Sequence, residues 1–163
     1  MKINMTQWIR DTISSPVKKA MPILSFPGVQ ITGHTVEEMV RDGHLQAECM
    51  KAVADRFDTG AAFSLMDLSV EAEAFGSPVH YSEDEVPTVT AALVHDEDEA
   101  EALQVPEVGA GRTGECVKGI REVTEMITDR PVLAGIIGPF SLAGRILDMT
   151  EIMILCYEEP EMV

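Results

Sequence analysis

Ala61-Ala62-Phe63-Ser64-Leu65-Met66-Asp67-Leu68-Ser69-Val70-Glu71-Ala72-Glu73-Ala74-Phe75-Gly76 is the stretch that decides the fold class. Its opening, residues 61–66, is an apolar run short enough for a buried strand, directly after a long amphipathic helical pattern. The run delivers a carboxylate at Asp67, followed by Glu71, Glu73 and a closing Gly76. Acids gathered where a strand gives way to a loop occupy the place where α/β folds keep their chemistry.

Upstream, Thr35-Val36-Glu37-Glu38 spells a capping box, and apolar residues recur at Val36, Met39, Val40, Ala47, Met50, Val53, Ala54 and Phe57. The spacing predicts one helix over about residues 36–56, ended by Asp58-Thr59-Gly60. Before it, Met21-Pro22-Ile23-Leu24-Ser25-Phe26-Pro27-Gly28 is a strand candidate closed by a Pro-Gly turn, and Thr6–Ile13 is a short helix stopped by Ser14-Ser15-Pro16. Strand, helix, strand at these lengths implies a parallel crossover, since a hairpin needs a shorter connection.

Downstream, residues 77–81 and 86–90 read as extended, the second confined to an edge or loop by Pro87. Residues 96–103 open with acids suited to a helix N-terminus, and 115–128 form another helical pattern broken by Asp129-Arg130-Pro131. Val132–Phe140 is a nearly continuous apolar run, the signature of a strand buried on both faces, and a further helix is expected from about Ser141 toward Cys156. Glu158–Val163 reads as the start of one more helix. The alternation is a βα pattern in a single domain, and about three strands make less than half of a closed barrel of roughly 250 residues.

The chain has 163 residues, 45% of them hydrophobic, and a net charge of -16. That charge excludes a nucleic-acid or anionic-membrane surface, both of which call for basic patches. Cys49, Cys116 and Cys156 are far apart and set among apolar neighbours, so they read as reduced core residues. With no run long enough to cross a bilayer and no apolar core of a signal peptide, the expected location is the cytoplasm. His34, His44, His80 and His95 lack metal-pair spacing, with His44 expected on the polar side of its helix, and Met39, Met50, Met66, Met126, Met149 and Met153 read as packing residues. Gly109-Ala110-Gly111-Arg112-Thr113-Gly114 has the dinucleotide-binding spelling, but the preceding Leu103–Val108 is Pro-broken, so it reads as a loop entering a helix.

Four segments, Met21–Gly28, Asp67–Gly76, Arg130–Gly144 and Tyr157–Met162, together resemble the N-terminal half of the uroporphyrinogen decarboxylase superfamily. This superfamily holds the decarboxylases proper and corrinoid-dependent methyltransferases that pass a methyl group from a methylated corrinoid protein to coenzyme M or a similar thiol. The resemblance covers nearly the whole chain and implies the N-terminal part of a TIM (β/α)8 barrel, incomplete here. It implies Asp67 as the catalytic carboxylate on the pocket floor, and Phe26, Ser64, Gly138 and Phe140 as substrate-binding residues, with the 26–34 and 138–144 loops on the rim.

Two matches separate the branches. Asp67, a fixed distance before Gly76, fits the decarboxylase aspartate that accepts pyrrole N–H groups. The decarboxylase's Arg-Gln-Ala-Gly-Arg clamp, however, is replaced by Phe26-Pro27-Gly28-Val29-Gln30, which has no arginine for substrate carboxylates. Ser69-Val70-Glu71-Ala72-Glu73-Ala74 and Gly138–Gly144 resemble the methyltransferase branch. That branch implies a catalytic zinc held by a His-x-Cys pair and a later Cys, positions beyond Val163, so no metal ligand is expected in this chain. The expected partners are a corrinoid protein and a small thiol, or a tetrapyrrole in a decarboxylase working without cofactor. A nucleotide-binding domain and a non-catalytic binding fragment are the readings from other classes. The chain is expected to be inactive alone, and its exposed strand edges favour dimerisation, as a homodimer, aggregation or instability.

Overall fold

The computed structural model of the chain describes residues 3–161 and 163. Strand β1 (Ala62–Phe63) pairs in parallel with β4 (Val132–Leu133), in the register Ala62 to Val132 and Phe63 to Leu133. Between them run helix α5 (Val70–Phe75), the antiparallel pair β2 (Val79–His80) and β3 (Thr88–Val89), α6 (Glu97–Ala102) and α7 (Arg112–Met126). A parallel crossover therefore joins β1 to β4, and the one expected between residues 21–28 and 61–66 is not formed, because the first of these segments is not a strand. Before β1 lie α1 (Met5–Ser14), α2 (Gly28–Thr32), α3 (Val36–Arg41) and α4 (Gly43–Arg56); after β4 come α8 (Pro139–Ile146) and α9 (Met149–Glu158).

Five expected elements differ, the first four for a local reason. Residues 21–28 form no strand: Pro22 and Pro27 bring no N–H to a ladder, and beside β1 the hydrogen bonds are Gly60 N–H to Ala20 O at 2.9 Å, just ahead of the segment, and Ser25 Oγ to Phe63 O at 3.3 Å. The 36–56 helix is two, because Asp42 turns extended and its carboxylate takes the His44 N–H at 2.7 Å, capping a new helix. The Val132–Phe140 run pairs over two residues and is not buried on both faces, since Ser64 Oγ accepts the Gly135 N–H at 2.8 Å and Ile136 is 81% exposed. The helix expected from Ser141 to Cys156 breaks at Asp148, whose side chain accepts from the N–H groups of Thr150 and Glu151 to start α9. At the C-terminus Pro160 and Glu161 form a turn and no new helix, and Met162 lies outside the described residues.

The capping box at Thr35 and Glu38 is formed in both directions, and Gly76, with φ 111°, closes α5 by donating to Ala72 O and Glu73 O. The central packing is α4 against α7, where Ala47, Met50, Ala54, Val123 and Ile127 bury Ala62 of β1. This crossing is close because glycines face each other: a Cβ on Gly119 would stand 2.8 Å from Gly43 O. A second cluster joins Val36, Met39, Val40, Cys49 and Leu65, and a third joins Ala72, Val94, Ile146, Leu147 and Ile152. Met39 and Met50 are core as expected, but Met126, Met149 and Met153 are 39%, 38% and 52% exposed, Met149 with its side chain against Gly144 of α8. Cys49 is buried, Cys116 half-buried and Cys156 exposed, so the core reading of the cysteines fails at Cys156.

Candidate functional site

Asp67 lies in the segment between β1 and α5, and its side chain has no exposed surface. Oδ1 accepts the Ser69 N–H at 2.8 Å and the Ser69 hydroxyl at 2.6 Å, and Oδ2 accepts from Arg112. The guanidinium reaches from the first residue of α7, donating also to Ser69 Oγ at 2.8 Å and to Glu73 of α5. Tyr81, after β2, donates its hydroxyl to the other Glu73 oxygen. Arg112 stands over one region of the Tyr81 ring at 5.1 Å, and Arg41 of α3 stacks on it at 3.6 Å. One network thus ties the β1–α5 turn, the start of α7, the β2 strand end and α3.

The electrostatics follow from burial and pairing. Burial works against the Arg112 charge, but the hydrogen bonds and charges of Asp67 and Glu73 outweigh it and raise its pKa. Burial, then the bond to Glu73, pushes Tyr81 up to about 12, so it remains a phenol donor at neutral pH.

Beyond the C-terminal ends of β1 and β4 lie two adjoining cavities, of about 140 Å³ and 160 Å³. Asp67 lines the first beside Glu71, Thr113 and Ile137; Ser64 lines the second beside Gln46 and Met50. Both are bounded by Cys116, whose thiol burial pushes up to about 11. Phe26 packs instead on the Val36 and Met39 cluster, Gly138 caps α8, and Phe140 is 47% exposed on that helix, so these three line neither cavity. The rim segments expected as loops are largely helical, as α2 and α8.

Sequence reasoning missed Arg112, Tyr81, Gln46 and Cys116. For Arg112 a signal existed: a cation at the first position of a helix opposes the helix dipole and so calls for acidic partners. The glycine-rich loop around it enters α7 with no strand at residues 103–111, in line with its reading as a loop. His44 is exposed and bonds Glu122 at 2.8 Å, on the polar side of its helix. Among the described residues no group of three or more His, Cys, Asp or Glu side chains is arranged to hold a metal, so they do not fit a zinc site. No described helix is long and apolar enough to cross a membrane.

The family description "Uroporphyrinogen decarboxylase (URO-D)" matches residues 11–163. The chain belongs to this family. Within it, the chain is 29% identical over 141 residues to the methylcobamide:CoM methyltransferase MtbA of Methanosarcina acetivorans, covering 78% of this chain and 42% of the relative. The corresponding Methanosarcina mazei protein is 28% identical over 141 residues, with the same shares covered. A solved methyltransferase from Methanosarcina mazei superposes with a TM-score of 0.80 over 99% of this chain and 50% of that one, at 19% identity, a likeness of fold. The uroporphyrinogen decarboxylase-family chain thus spans less than half the length of the curated relatives it matches.

Proposed function

We propose that this chain is the N-terminal portion of a (β/α)8-barrel methyltransferase that moves a methyl group from a methylated corrinoid protein to a thiol such as coenzyme M, acting in the cytoplasm. The observation that carries the reading is the similarity to two methylcobamide:CoM methyltransferases. The site supports it against a tetrapyrrole decarboxylase. Residues 26–30 supply no arginine, and the two guanidiniums of the Asp67 network are committed, Arg112 to Asp67, Ser69 and Glu73, and Arg41 to Glu37 and Tyr81. Both Asp67 oxygens are likewise occupied, which leaves little capacity for pyrrole N–H groups.

In this reading a zinc ion would supply a thiolate by lowering the thiol pKa, with its His-x-Cys and Cys ligands outside this chain. The chain's own part is positional. Asp67, Ser69 and Arg112 hold the β1–α5 turn, and Glu71, whose Oε1 accepts the Ile137 N–H at 3.4 Å, bridges that turn to the β4–α8 segment. The test is to express the gene product carrying this chain and follow thiol loss with methylcobalamin and coenzyme M, and decarboxylation of uroporphyrinogen in parallel. Methyl transfer supports the proposal. Decarboxylation without methyl transfer replaces it with the tetrapyrrole reading, and neither activity favours a binding fragment.

A further inference from the structure

Gln46 lies on the inner side of α4 with 4% of its surface exposed. It is pressed against α7 where Gly119 leaves room: a Cβ there would stand 3.1 Å from Gln46 Cβ and 3.2 Å from its Oε1. Its Nε2 has no hydrogen-bond partner. A buried amide donor left unpaired is costly, and a leucine or methionine of similar volume would avoid that cost.

The amide borders the 160 Å³ cavity, whose other walls are largely apolar: Met50, Leu65, Val117, Ile120 and Ile136. An ordered water at Nε2 needs two to four polar partners. Ser64 Oγ, the nearest hydroxyl on the wall, already accepts from Gly135 N and donates to Leu65 O. Cys116 stays a neutral thiol near pH 7 because burial raises its pKa; the Gln46 amide approaching its sulfur opposes that rise, but a neutral thiol is too weak an acceptor to satisfy the Nε2–H donor. An apolar cavity of about 150 Å³ accepts a benzene-sized molecule.

We infer that the cleft between α4, α7 and the end of β4 binds a small, uncharged, mostly apolar molecule bearing one carbonyl-type acceptor, which receives the Gln46 Nε2–H donor. Glu71, on the wall of the adjoining cavity, disfavours an anion there. The site goes beyond the methyl-transfer reading and does not rest on it, because binding is read on this chain without turnover.

The experiment uses cyclohexanone as the probe with an acceptor and benzene as the probe without one, on the wild-type chain and Gln46→Leu. Affinities come from saturation-transfer NMR, and occupancy from the rate of Cys116 alkylation by iodoacetamide, with exposed Cys156 as internal reference. Cyclohexanone is expected to bind the wild type about five- to tenfold more tightly than Gln46→Leu, the scale of one neutral hydrogen bond, and to slow labelling of Cys116 but not of Cys156. Benzene is expected to bind both chains alike. Equal cyclohexanone affinities, or binding that leaves Cys116 labelling unchanged, would overturn the inference, as would no binding. If Gln46→Leu fails to fold, Ile136→Trp at an exposed wall position fills the cleft instead; cyclohexanone binding that survives it also overturns the site.

Discussion

Arg112 carries the acidic turn after β1, because its guanidinium is the counter-charge of a side chain with no access to water. Arg112→Ala leaves Asp67 buried and uncompensated, and is expected to destabilise the chain by about 3–5 kcal/mol, measured by urea unfolding. Adding Asp67→Asn to that variant is expected to recover part of the loss; strictly additive losses would show that the pair is not coupled. Cys116 gives a second expectation. With its pKa near 11, alkylation at pH 8 proceeds through roughly a thousandth of the thiol, and the rate is expected to climb about tenfold per pH unit up to pH 10. The sign follows from burial favouring the neutral form: stability from this group is full below pH 9.0, the thiol's ordinary value, and is lost as the pH rises toward about 11. A labelling rate that levels off below pH 9 would refute the assignment. Asp67 was legible in the sequence as a carboxylate at a strand end. The pairing was not, because the position of Arg112 calls for acidic partners without saying which, and it lies 45 residues from Asp67 and meets it only once α7 packs.

At the scale of elements, the α4–α7 crossing depends on Gly43 and Gly119. Gly119→Ala places a methyl group against Gly43 O and the Gln46 side chain, and is expected to cost about 1–3 kcal/mol despite the better helix propensity of alanine, as read by the thermal midpoint. An unchanged or raised midpoint would mean that the helices separate at little cost. The periodicity marked the buried face of α3 and α4 correctly from Val36 to Ala54. It could not show the break at Asp42, since apolar spacing reports which face is covered and is blind to a side chain that captures a backbone N–H locally.

At the scale of the whole molecule, β4 pairs only with β1 among the described residues, and Ile136, Met153 and Tyr157 stand 81%, 52% and 91% exposed near or after it. Apolar surface of this kind, opposed by a net charge of -16, predicts self-association that strengthens as salt screens the repulsion. Light scattering over a range of concentration and salt checks this, and a monomer under every condition would count against it. The same surface explains why Val132–Phe140 misled as a fully buried strand: an apolar run records what a segment is suited to bury, and whether a neighbour covers it is set by the rest of the fold.

By itself the sequence determined the βα alternation, the strand segments at Ala62 and Val132, the capping box and the family to which the chain belongs. These depend on local propensity, side-chain periodicity and short motifs, all of which are written in consecutive residues. Only the tertiary structure decided that Asp67 is sealed by Arg112, that Phe26 and Phe140 stand away from the cavities, and that Gln46 reaches one of them with an unpaired donor. Each of those facts is a contact between segments remote in the chain, and the physics that sets it, burial with or without a partner, acts only after the helices have packed.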